Sequence, residues 1–120
     1  MVLSQTDATE AWTVPAGKAE KQNPIPLNEE SVARGKTLYE RECLSCHGVS
    51  GKGDGPAARD LERSPGDLSD PTLRDQTDGE LFWKITIGRR PMPGYRKLFT
   101  SEERWQVVNY LRTLIAQRGE

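Results

Sequence analysis

A chain of 120 residues carrying 17 Lys and Arg against 18 Asp and Glu, for a formal charge of -1, fits one domain and excludes the strongly basic footprint of a nucleic-acid binder. Leu, Ile, Val and Phe number only 11, 4, 6 and 2, near the floor below which a chain lacks material for a core, yet the high net charge that accompanies disorder is missing. A folded chain with this deficit is expected to draw apolar volume from a bulky group that is not an amino acid.

No run approaches the 18 or so uninterrupted apolar residues of a membrane helix, so a water-soluble chain without a membrane span is expected. The start, Met1-Val2-Leu3-Ser4-Gln5-Thr6-Asp7, has neither a basic n-region nor an apolar h-region, and any export signal is expected to have been removed or replaced.

Residues 1–27 hold three of the eight prolines (Pro15, Pro24, Pro26) and an isolated Trp12, and read as an extended N-terminal arm. Two readings of it stay open: a disordered tail, or an arm pinned onto the domain surface by Trp12 and Ile25. The domain proper is expected over 28–120. Its first helix starts from Asn28 as N-cap, carries Val32, Gly35, Leu38 and Tyr39 at helical spacing, and ends near Cys43.

The only two cysteines and the only histidine then fall in Cys43-Leu44-Ser45-Cys46-His47. In a C-x-x-C-H run the two thiols reach the two vinyl groups of one haem as thioethers while the adjacent imidazole sits under the iron. Three other readings compete. A zinc site would have to complete its ligands with carboxylates, a thioredoxin-like dithiol would need a βαβ setting that is not visible, and a plain disulfide leaves His47 unexplained.

Residues 48–76 are rich in Gly, Pro, Asp and Ser and are too long for a simple connector. Such a loop is expected to wrap around something. A second helix starts at the box Thr77-Asp78-Gly79-Glu80, buries Leu81, Phe82 and Ile85, with Trp83 in question, and stops at Gly88. Met92 follows in Gly88-Arg89-Arg90-Pro91-Met92-Pro93-Gly94, where flanking prolines hold the backbone extended. A thioether on such a stiff loop suits the haem face opposite His47, and a gap-filling apolar side chain is the plainer alternative. The third helix starts at Thr100-Ser101-Glu102-Glu103 and presents Trp105, Val108, Leu111, Leu114 and Ile115 on one face.

The helix with Gly35 and Tyr39, the Cys43–His47 motif, Gly51-Lys52-Gly53-Asp54-Gly55-Pro56, Met92-Pro93 and the Trp105–Leu114 helix together resemble the class I c-type cytochromes of the bacterial mono-haem type. The resemblance covers about residues 28–116 and implies an all-α cytochrome c fold, three main helices plus long loops wrapped around one covalently bound haem c. It implies Cys43 and Cys46 as attachment points, His47 and Met92 as axial ligands, and the Pro56 carbonyl as acceptor for the second ring nitrogen of His47, though Pro56 also reads as a turn proline. Gly35 would admit the last helix closely, with Trp105, Tyr110 and Leu111 as candidates for the crossing. Arg89, Arg90, Arg96 and Lys97 are read in three ways: neutralising haem propionates, docking an acidic partner, or forming a solvated basic loop. Trp83 and Tyr95 are candidates to line the haem pocket or bond a propionate, against plain packing.

The function implied is a one-electron carrier, not an enzyme, with a low-spin His/Met-ligated haem. Its expected partners are redox proteins such as a quinol-oxidising complex and a terminal oxidase or reductase. The expected location is the periplasm or the outer face of the cytoplasmic membrane. Two alternatives stand beside it: a cytochrome domain excised from, or tethered to, a larger oxidoreductase or oxidase subunit, and a gas-binding or peroxidatic haem protein with a displaceable Met. The second lacks a spare His as distal base.

Overall fold

In the computed structural model, residues 12–61, 67–68, 71–89 and 92–118 are described. Asn28 begins the first long helix with a reciprocal cap: its side chain accepts from the Ser31 amide at 2.8 Å, and the Ser31 hydroxyl accepts from the Asn28 amide at 3.2 Å. Each bond satisfies a backbone donor that the first helical turn leaves unpaired. One helical turn within the arm, α1 (Ala16–Ala19), precedes this helix, α2 (Glu29–Glu42). A short turn, α3 (Leu44–His47), follows directly, and then come α4 (Asp78–Ile87) and α5 (Ser101–Arg118).

Both remaining caps form where Thr sits three residues before Glu. Thr77 accepts from the Glu80 amide and returns its own amide to Glu80, and Thr100 and Glu103 repeat the arrangement at the head of α5. Two 3₁₀ turns, Ala58–Asp60 and Pro71–Asp75, interrupt the long loop. Among the described residues there is no strand, only a bridge between Arg89 and Met92.

The core lies between α2 and α5, closed below by α4. Leu38 and Tyr39 of α2, Leu81, Phe82 and Ile85 of α4, and Trp105, Val107, Val108, Leu111, Leu114 and Ile115 of α5 are all buried. Trp83 is only half-buried. Phe82 stacks on Trp105 with centroids 3.9 Å apart. At the α2–α5 crossing Gly35 touches main chain: a Cβ built on it would overlap the Gln106 carbonyl and lie 3.0 Å from Tyr110 Cβ. Only glycine lets two helix backbones approach this closely. The expected crossing thus occurs: of the three candidates Tyr110 lies nearest to Gly35, and Gln106, not one of them, takes the place of Trp105 and Leu111.

Polar side chains lock the arm to the domain. Asn109 on α5 is buried, donates to the carbonyls of Ile25 and Pro26 and to the Ser31 hydroxyl, and accepts from Asn23 at 2.8 Å. The Thr77 hydroxyl donates to the Ala19 carbonyl. From Trp12 onward the segment therefore lies against α4 and α5 and includes a helical turn where an extended course is expected; residues 1–11 fall outside the described part.

Candidate functional site

Cys43 ends α2, donating its amide to the Tyr39 carbonyl at 2.7 Å, and its own carbonyl accepts from His47 at 2.9 Å and Cys46 at 3.3 Å. The C-x-x-C-H run is thus one helical turn. Positions three and four apart share a helix face, so Cys43, Cys46 and His47 present two thiols and an imidazole to the same side. The Tyr39 hydroxyl donates to the Gly48 carbonyl at 2.6 Å and fixes the exit from the turn.

His47 is buried, and its Nδ1 has no hydrogen-bond partner. Burial pushes its imidazole down to about 4, so it is neutral near pH 7 with a nitrogen lone pair available, as a metal ligand requires. Both cysteines are free thiols. Burial, with smaller contributions from the charges of Glu42 and Cys46, pushes the Cys43 thiol up to about 12. A reactive dithiol works in the opposite direction, through a depressed thiol pKa. Zinc fares no better: among the described residues no group of three or more His, Cys, Asp or Glu is gathered to hold a metal ion. The donor set, two free thiols beside a neutral buried imidazole on one helical turn, fits covalent haem attachment.

The loop after the motif folds back onto it. Gly55 donates to the Cys46 carbonyl at 3.1 Å and Ala57 to the Ser45 carbonyl at 2.8 Å, so Pro56 is held beside the turn by both neighbours. His47 Nδ1, the nitrogen that would donate to the Pro56 carbonyl, has no partner in the protein alone.

Met92 sits on a tight hairpin. Gly88 caps α4 with φ 72°, where a side chain would be strained, and donates to the Lys84 carbonyl at 2.8 Å. Arg89 and Met92 then exchange both backbone hydrogen bonds, at 3.0 and 2.7 Å. The Tyr95 amide returns to the Ile85 carbonyl at 2.9 Å, while its hydroxyl donates to the Glu42 carbonyl at 3.1 Å, tying the hairpin to the residue before Cys43. Burial, then the neighbouring Cys43, raises the Tyr95 phenol above its ordinary range. Its hydroxyl is thus committed to backbone. Met92 itself is partly buried against the same apolar cluster that Cys43 and Leu44 touch.

One buried residue absent from sequence reasoning supports this hairpin from α5. Arg104 Nη1 donates to the carbonyls of Arg96 and Phe99, both at 2.9 Å, and approaches that of Tyr95 at 3.4 Å. Of the basic residues around Met92, Arg96 and Lys97 are exposed, Arg89 is half-buried, and Arg90 lies outside the described residues.

Residues 30–111 match the family Cytochrome C oxidase, cbb3-type, subunit III. Among solved structures the chain is similar to a component of the Kuenenia stuttgartiensis reducing HAO-like protein complex Kustc0457/Kustc0458, with TM-score 0.71 and 31% identity over 77% of this chain and 47% of that one. The chain therefore spans about half of that relative's length. It is also similar to the KustC0563 c-type cytochrome, with TM-score 0.58 and 24% identity over 67% of this chain and 95% of that one. Cytochrome CL from the marine methylotrophic bacterium Methylophaga aminisulfidivorans MPT aligns with TM-score 0.56 and 24% identity over 72% and 56% of the two chains. The last two establish the all-α cytochrome c fold. No curated protein matches the sequence.

Proposed function

Because the chain belongs to the Cytochrome C oxidase, cbb3-type, subunit III family, a class I c-type cytochrome with covalently bound haem c, we propose that it is a low-spin one-electron carrier ligated by His47 and Met92. One haem is attached through Cys43 and Cys46 in this reading. The observation that carries it is the single helical turn that sets both thiols and the buried His47 on one face. The haem, when bound, supplies the one-electron couple.

The chain's own residues do the rest. His47 offers one neutral ring nitrogen to the iron, and the Pro56 carbonyl, held beside the motif by the amides on either side of it, is the acceptor proposed for Nδ1, the ring nitrogen without a partner. Met92 offers a soft thioether from a hairpin whose backbone is pinned at Ile85, Glu42 and Arg104. With His47 and Met92 both holding the iron, little would have to rearrange between redox states, which suits an electron carrier rather than a catalyst. Exposed Arg96 and Lys97 offer a positive rim to an acidic redox partner through a small, transient interface.

The partners proposed are respiratory redox proteins, a quinol-oxidising complex as donor and a terminal oxidase or reductase as acceptor, in the periplasm or at the outer face of the cytoplasmic membrane. Membership in an oxidase subunit family and coverage of 47% of the Kuenenia chain favour a second reading, a cytochrome domain within a larger oxidoreductase. Met92→Ala tests the ligation. The haem should stay covalently attached while the reduction potential falls and the iron begins to bind external ligands. An unchanged potential and spectrum would refute the role of Met92.

A further inference from the structure

Trp12 is half-buried and lies within cation–π range of two cations that come from different elements. Lys84 Nζ, in the last turn of α4, is 5.4 Å from its ring centroid, and the Arg89 guanidinium carbon, on the first leg of the Met92 hairpin, is 4.9 Å from it. The face of an indole carries negative quadrupole density and attracts cations within about 6 Å. Removing the ring removes the attraction that both cations have in common.

The Arg89 backbone cannot move without Met92, because the two residues exchange both of their amide bonds. Trp12 is itself held, since the segment after it is fastened by Thr77 to the Ala19 carbonyl, by Asn23 to Asn109, and by Asn109 to the carbonyls of Ile25 and Pro26. A continuous chain of contacts therefore runs from α5 and the head of α4 through the arm to the hairpin.

We propose that Trp12 is a positioning residue for Met92: its ring ties the Arg89 leg of the hairpin to Lys84 of α4 and so keeps the thioether at the iron. The proposal rests on Met92 being the second axial ligand. It differs from mere packing because it needs an aromatic face and not only apolar bulk.

An external ligand enters only when Met92 is off the iron, so its apparent affinity rises in proportion to the dissociated fraction. The probe is imidazole, titrated into the oxidised, haem-loaded protein well below its melting temperature, with the near-infrared sulfur-to-iron band recorded alongside. Losing two partly exposed cation–π contacts should tighten apparent imidazole binding by about fivefold to thirtyfold in Trp12→Ala and weaken the band. Trp12→Leu, which keeps bulk without a π-face, should behave like Trp12→Ala. Trp12→Phe should restore most of the wild-type behaviour.

Wild-type imidazole affinity and an undiminished band in both Trp12→Ala and Trp12→Leu would overturn the proposal, as would a Leu variant that matches wild type while Ala does not. Absence of the band in the wild-type protein would instead overturn Met92 ligation, and the role of Trp12 with it. The two failures are therefore distinguishable.

Discussion

Replacing Gly35 with Ala adds one methyl group at the point where α2 and α5 touch backbone to backbone. The new Cβ would lie 2.7 Å from the Gln106 carbonyl carbon and 3.0 Å from Tyr110 Cβ, whereas carbon atoms rest at about 3.5–4.0 Å. The atom in the way is helical main chain, not a side-chain tip that can swing aside, so α5 has to retreat by roughly the difference, on the order of 1 Å. That retreat loosens Trp105 and Val108, which are buried on the same helix. Overpacking costs about 1–3 kcal/mol, and with main chain as the obstacle the upper part of that range applies, about 2–3 kcal/mol. Ala is the better helix former by about 1 kcal/mol, which offsets part of the loss. A net destabilisation of about 1–2 kcal/mol should remain, a fall in Tm of roughly 4–15 °C for a domain near this size. Thermal unfolding followed by far-ultraviolet circular dichroism and by the haem Soret band reads it directly. Gly35→Val should fall further. A Gly35→Ala protein as stable as the wild type or more so would refute the close-approach reasoning, since propensity alone predicts that outcome.

Asn109→Leu leaves the Asn23 amide and the Ile25 and Pro26 carbonyls without their buried partner, which should cost about 2–3 kcal/mol in urea unfolding; a wild-type midpoint would contradict the locking role of this residue. Burial holds the Lys84 ammonium down to about 8 from its ordinary 10.5, with Glu80 opposing and Arg89 adding to the shift. Between those two values the unfolded chain binds the proton that the folded chain has released, so stability should rise with pH across that interval. Lys84→Met should flatten the rise, and urea midpoints across it that move in parallel for both proteins would contradict the effect.

The helix starts were legible because each depends on a local bond between residues three apart. Asn28, Thr77 and Thr100 could be read as caps without knowing what the helices pack on, and the stripes from Val32 to Tyr39 and from Trp105 to Ile115 follow from period alone. The C-x-x-C-H turn was equally local. What escaped were features set by distant chain. Leu68 and Leu73 are buried, but in a Gly- and Pro-rich loop with no periodicity to mark them. Arg104 and Asn109 sit on an otherwise ordinary helix, and their burial is explained only by carbonyls outside it, those of Arg96 and Phe99 in the preceding loop for Arg104 and those of Ile25 and Pro26, far along the chain, for Asn109. The α1 turn escaped because four residues are too few to show a helical period, and its place depends on Thr77 and Gly79 of another element.

His47/Met92 ligation is most directly tested by the visible and near-infrared spectrum of the purified protein, oxidised and then reduced, with and without carbon monoxide. A low-spin c-type spectrum with the weak sulfur-to-iron band, and no change on adding carbon monoxide to the reduced protein, is the predicted result. A high-spin spectrum or ready carbon monoxide binding would mean an open iron and would contradict an electron carrier with both axial positions filled.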